Sequence, residues 1–245
     1  MPGELSSARA YREAALPEPS LQWRQAPFSV VDLELTGLDP SADEIVSYAA
    51  VSVTGGRVSL ADACHGLVRP SRTPAPESIR VHGLREADLV DAPPLQEAVE
   101  ELLAALTGRV LVAHVAEIEV GFLRAALSRF GLGLRNPVVD TAAIGAELGR
   151  RQRRLRVRPP RHPAAGESSP GLSKLARVLG LPVHRPHQAD GDALTAAQVF
   201  VALAAHLERY VPVTVGSLAA LSADGRPRLV RLARRLRTGL LPGAS

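Results

Sequence analysis

The order in which two hydrophobic periods occur constrains the fold of this chain most. From Ala26 to Pro70 three strand-like segments follow one another, "APFSVVDLEL", "EIVSYAAVSV" and "RVSLADACHGLVRP", the last two joined through Thr54-Gly55-Gly56. Adjacent strands joined by so short a turn pair antiparallel, so the segments predict a meander. Beyond them the period becomes helical: Leu95, Val99, Leu102, Leu103 and Leu106 recur at helical spacing. "RVLVAH" then reads as a short buried strand, "EIEVGFLRAALSRFG" as a helix closed by Gly131, and "PVVDTAAIGAELGRR" as a strand entering a helix. "LSKLARVLGL" and "DGDALTAAQVFVALAAHLERY" are two more helices. A meander followed by alternating helix and strand predicts an α/β fold, a mixed sheet with flanking helices.

The core of this pattern spans residues 27–210. Residues 1–26, rich in Ala, Glu, Ser and Pro, predict a flexible lead-in. Residues 211–245 form a C-terminal extension, where "RPRLVRLARRLR" sets Leu229, Leu232 and Leu236 on one side of a basic amphipathic helix. Most such helices pack on their own domain, and some bind nucleic acid or a partner. "RQRRLRVRPPRHPAAGESSPG" has no period and predicts an exposed loop. Cys64 is the only cysteine, which excludes an intrachain disulfide framework and fits a reducing cytoplasm. No signal-type segment or membrane-length apolar run is present, so the expectation is a cytoplasmic protein with no membrane role. The net charge of +4 is compatible with a nucleic-acid partner without requiring one. Lys174 is the only lysine, and GC-rich coding accounts for much of the arginine.

In "VVDLELTGLDP", Asp32 and Glu34 stand two apart on the first strand and therefore on one face. Two ionised carboxylates on an otherwise apolar face repel each other and are costly to desolvate. A divalent cation relieves both problems, and oxygen ligands suit Mg²⁺ or Mn²⁺. Hydrogen bonding of the pair to nearby turns is the plain alternative. Two more segments end near carboxylates. "LVAHVAEIEVGFL" sets His114 at a strand end and Glu119 on the next helix, and "HQADGDALTAAQVF" sets His187 five residues before Asp192 at the head of another. Singly, Glu119 and Asp192 read as acids that favour a helix N-terminus.

In this order the three segments resemble the motifs of the DnaQ-like (DEDDh) 3′→5′ exonuclease family, of the polymerase III epsilon-subunit-like type, whose fold is RNase H-like. "IRVHGLREADLVDAPPLQEAVEELLAALTGRVLVAH" and "VVDTAAIGAEL" are similar to its connecting segments, and the resemblance covers about residues 27–208. It implies a two-metal site for Mg²⁺ or Mn²⁺ formed by Asp32, Glu34, Glu119 and Asp192. Asp32 would bridge the metals, Glu34 would also meet the terminal 3′-hydroxyl, and His187 would be the general base. Leu35, Thr36, Leu38 and His114 would contact the substrate, a nucleic acid with a free 3′ end, single-stranded, and a DNA polymerase subunit is an implied partner. The implied reaction hydrolyses terminal phosphodiester bonds of DNA, in proofreading or repair, and releases nucleoside monophosphates. Two positions depart from the family pattern: Val115 replaces the usual Asn, and Glu119, after Ile118 in place of Phe, replaces the usual Asp.

Two other readings stay open. One is an RNA exonuclease resembling RNase T or oligoribonuclease. The other is a catalytically weak nucleic-acid-binding module, suggested by Val115 and Glu119. The Arg-rich stretch 150–161 reads as a cationic loop leading toward the third motif, suited to a nucleic-acid backbone or simply to solvent. Asp140 reads as a helix-start residue or a support behind the ligands.

Overall fold

The computed structural model describes residues 5–154 and 171–223. Its five strands are β1 (Phe28–Leu35), β2 (Ile45–Thr54), β3 (Arg57–Leu67), β4 (Val110–Ala113) and β5 (Val138–Asp140). They form one sheet in the order β3-β2-β1-β4-β5. The β1–β2 and β2–β3 pairs are antiparallel, and the β1–β4 and β4–β5 pairs are parallel. Around the sheet lie α1 (Ala8–Glu13), α2 (Pro76–His82), α3 (Glu86–Leu89), α4 (Leu95–Leu106), α5 (Glu117–Ser128), α6 (Thr141–Arg154), α7 (Leu172–Val178) and α8 (Ala189–Glu208). This is the mixed, helix-flanked sheet of an RNase H-like fold.

A core covers each face of the sheet, and β1 divides its side chains between them. Phe28 and Val30 join α8, where the rings of Phe28 and Phe200 are 4.7 Å apart. Val31, Leu33 and Leu35 join α4 and α5 on the other face. A strand alternates with a period of two, so Asp32 and Glu34 continue the Phe28 and Val30 row toward α8. The parallel pairing of β1, β4 and β5 brings their carboxyl ends to one edge, where open α/β sheets commonly place ligands. The meander and the helices α4 to α8 follow the sequence pattern. Leu95–Leu106 is helical over its whole periodic stretch.

The ends of the chain depart from expectation. Residues 5–26 pack onto the domain instead of forming a loose lead-in. Leu5, Ala8 and Tyr11 are buried beside α4, and Trp23 and Ala26 lie fully within the α8 core. The Tyr11 hydroxyl donates to Asn136 Oδ1 (2.7 Å), and the Glu100 carboxylate accepts from the backbone of Ser7 (2.9 Å). Composition hid this because two aromatic anchors suffice to hold an Ala- and Glu-rich segment. Residues 211–223 are also integral: Val213, Val215 and Leu218 are buried in the α8 core, and 215–223 are helical. The start of the Arg-rich stretch is no loop. Residues 150–154 continue α6, and Arg150 and Arg151 both pair with Glu147. Residues 155–161 and the basic segment with Leu229, Leu232 and Leu236 lie outside the described residues. Among the described residues no helix is long and apolar enough to cross a membrane.

Candidate active site

Asp32 and Glu34 leave β1 on the face covered by α8, opposite Ala49 and Ser47 of β2. Asp192 comes from the first turn of α8. One ligating oxygen from each of these three lies within 4.8 Å of the other two. Glu119, from the first turn of α5, is buried beside them but outside that tight group.

Burial is the largest influence on each of these four carboxylates. Burial, followed by the charges of Glu119, Glu34 and Asp192, holds Asp32 well above the usual carboxylate range. Burial and the Asp192 charge push Glu34 up to about 7. Burial, with smaller contributions from Asp140 and Glu34, pushes Glu119 up to about 8. Burial also raises Asp192, against the opposing hydrogen bond from His187 N–H to its Oδ2 (2.9 Å). Glu119 Oε2 and Asp192 Oδ1 are buried acceptors without a hydrogen-bond partner. Buried carboxylate oxygens left without donors fit a bound divalent cation, and an all-carboxylate donor set suits Mg²⁺ or Mn²⁺.

The remaining expected residues surround this group. His187 is exposed and left-handed (φ 61°), one residue outside the α8 cap. His114 Nδ1 meets Thr141 Oγ1 at 2.9 Å, and that hydroxyl donates to Ala113 O (3.3 Å). Thr36 is spent on the turn that follows β1. Its hydroxyl donates to Asp43 Oδ1 (3.1 Å) and accepts Glu44 N–H (2.9 Å), while its carbonyl accepts Ser78 Oγ (3.0 Å) and Ala75 N–H (2.9 Å). Leu38, on the outside of the same turn, is 50% exposed.

Sequence reasoning gave no role to His82, yet it joins α2 to the end of β1. Its Nε2 bonds Leu35 O (3.2 Å), and its Nδ1 accepts Leu84 N–H (3.0 Å), so the ring is neutral. Burial lowers its pKa accordingly. Nothing in the local pattern distinguishes it from the other histidines, because its partner is 47 residues away. Asp140 is a helix-start residue: its Oδ1 accepts Ala142 N–H (2.8 Å) and also Val115 N–H (3.0 Å).

Comparison with known proteins agrees with this geometry. Residues 29–200 match the RNase_T family, described as exonuclease. Over 177 residues the chain is 34% identical to a PolC-type DNA polymerase III of Thermotoga maritima, covering 72% of this chain and 12% of that protein. Over 209 residues it is 34% identical to a DNA polymerase III subunit epsilon-like protein of Rhodobacter capsulatus, covering 84% and 27%. Over 180 residues it is 31% identical to the DNA polymerase III subunit epsilon of Treponema pallidum, covering 73% and 77%. The chain therefore spans under a third of the length of the first two relatives. In fold it resembles Exonuclease X in complex with 5′ overhanging duplex DNA, with a TM-score of 0.57 at 20% identity over 78% of this chain and 99% of that one. It also resembles E. coli Exonuclease I in complex with a dA16 oligonucleotide, with a TM-score of 0.65 at 15% identity over 76% and 42%. The family match across both halves of the carboxylate cluster, on this sheet, means that the chain belongs to the RNase_T exonuclease family, among its DnaQ-like, DEDDh members.

Proposed function

We propose that the protein is a metal-dependent 3′→5′ exonuclease that removes nucleoside monophosphates from the free 3′ end of a single DNA strand. The observation that carries this reading is the convergence of Asp32, Glu34 and Asp192 within 4.8 Å, on a chain of the exonuclease family. With Glu119 they would hold two divalent cations, Mg²⁺ or Mn²⁺. When bound, such ions activate a water and neutralise the charge that builds on the phosphodiester. His187, whose backbone already grips Asp192, takes the proton of the attacking water, a task suited to imidazole near neutral pH. The water oxygen bonds to phosphorus as the bond to the preceding 3′-oxygen breaks, and that oxygen leaves as an alkoxide that takes its proton from solvent. The Leu35–Thr36 turn, fixed by His82, Asp43 and α2, forms the floor beneath the terminal nucleotide, and exposed Leu38 lies against its base. His114, held by Thr141, flanks the substrate from β4.

DNA is favoured as substrate by the DNA in the Exonuclease X and Exonuclease I structures and by the polymerase III relatives. Those relatives also support a DNA polymerase subunit as the partner. The test uses 5′-labelled single strands of DNA and RNA, with Mg²⁺ or Mn²⁺. We expect stepwise shortening of DNA from the 3′ end, and a loss of at least about 100-fold in rate in His187→Ala with little change in KM. Preferred digestion of RNA would replace the substrate assignment, and no digestion in either metal would reject the enzyme reading.

A further inference from the structure

We infer that Asp140 is a positioning residue of this site: its carboxylate pins the turn into α5 and the start of α6 at once and thereby sets where Glu119 points. The inference rests on the reading of Glu119 as a site carboxylate. Asp140 ends β5, in register with Ala113 at the end of β4, and is 3% exposed. The chain turns at both places into a helix whose first turn faces the site edge. Ala116, the N-cap of α5, supplies no side-chain cap, and the turn that leads into it is held from outside the helix. Asp140 Oδ1 is the acceptor that holds it. It takes the N–H of Val115 (3.0 Å) from the β4–α5 turn and that of Ala142 (2.8 Å) from the start of α6. From behind, the Asp140 N–H donates to Ser222 Oγ (2.7 Å), which fixes the strand end against the helical residues 215–223.

The backbone records the demand of this hold. Val115 is left-handed, with φ 61°, although it is β-branched and the region is hostile to such side chains. A residue remains there only where its surroundings over-determine it. Here the hold is the bond from its N–H to Asp140. Four residues further along, Glu119 presents a carboxylate that no hydrogen bond fixes at Oε2. That carboxylate also bonds the backbone N–H of Glu119 itself, so its direction follows the backbone that launches it, and the turn before that backbone is tied to Asp140. Thr141, next to Asp140, holds His114 on the other arm of the same turn.

The experiment is a double-mutant cycle read by Mn²⁺ titration calorimetry without nucleic acid, so it does not depend on the exonuclease reading succeeding. Asp140→Ala should weaken Mn²⁺ binding by about tenfold, the scale on which ligand supports act. Asp140→Asn, which keeps the acceptor oxygen, should restore most of it. In the Glu119→Ala background the Asp140→Ala change should cost little more, because the ligand it positions is already gone. The kcat on single-stranded DNA should follow the same order while KM moves by less than about threefold. Unchanged Mn²⁺ affinity and kcat in a folded Asp140→Ala protein of lower melting temperature would reduce Asp140 to a fold residue and overturn the inference. So would full additivity with Glu119→Ala, or equal damage from Asn and Ala. Should Asp140→Ala not fold, Asp140→Ser, too short to reach both turns, takes its place in the cycle.

Discussion

Glu34 and Glu119 carry protons at pH values where free carboxylates have lost them, about 7 and about 8 being their half-points. The unfolded chain titrates near 4.3. Between these limits the folded state binds more protons than the unfolded one, so stability falls as pH rises from about 4.5 to 8. A bound cation displaces those protons, and its affinity rises with pH through the same window. Melting temperatures from pH 5 to 8.5 in chelator should therefore slope downward, and saturating Mn²⁺ should flatten the slope or reverse it; a flat metal-free profile is the opposing result. Val115 carries the second residue-scale prediction. Its left-handed backbone costs roughly 1–2 kcal/mol for an ordinary side chain, and Asn visits that region readily. Val115→Asn should stabilise the protein by about 1 kcal/mol in urea melts, about 2–4 °C in Tm for a chain of this size. The left-handed turn also gives a physical reason why the family usually has Asn at this position.

The start of helix α8 is overlain by the loop that carries His187. A Cβ at Gly191 would overlap the carbonyl oxygens of His184 and Arg185. Backbone cannot yield as a flexible side chain does, so Gly191→Ala should lift the loop, lengthen the His187–Asp192 bond and destabilise by about 1–3 kcal/mol. Activity should fall with it. Gly145→Ala in α6 is the control, since a methyl there meets Leu175 only at ordinary contact distance (3.5 Å), and it should be neutral or slightly stabilising. The same contrast separates what the sequence made legible from what it did not. Asp32 and Glu34 were legible because a period of two is local, and α4 because five apolar residues repeat within twelve. Helices α2 and α3 were not, because "PESIRVH" and "EADL" carry no apolar stripe. The Thr36 carbonyl, which accepts from Ala75 and Ser78, ties the start of α2 to the β1 turn. The bond from Val115 N–H to Asp140 was hidden because donor and acceptor are 25 residues apart.

Across the whole molecule the two ends of the described chain lock together. Trp23 N–H donates to Val213 O (3.1 Å), Val215 N–H to Leu21 O (3.0 Å), and Gln22 bridges Thr214. The Trp23 indole donates to Glu208 (3.1 Å) and meets Phe200 edge-on at 6.0 Å. Removing this fully buried ring leaves a large cavity under α8, so Trp23→Ala should cost about 3–5 kcal/mol in chemical denaturation. A cost below about 1 kcal/mol would show that the N-terminal segment is an ornament after all.

The carboxylates of β1 and α8 meet across the widest gap in the site: Asp32 and Asp192 are 160 positions apart (192 − 32). Synthesis runs from the N-terminus, and domains settle as their parts emerge. A nascent chain thus carries β1, the whole meander and α5 while Asp192 is still inside the ribosome. The carboxylate cluster closes only when α8 is delivered, and the core beneath it is filled by that helix and by Val213, Val215 and Leu218 just beyond it. On the proposed function, cutting power would arrive only with this late step, and a half-made copy would be harmless to the nucleic acid around it.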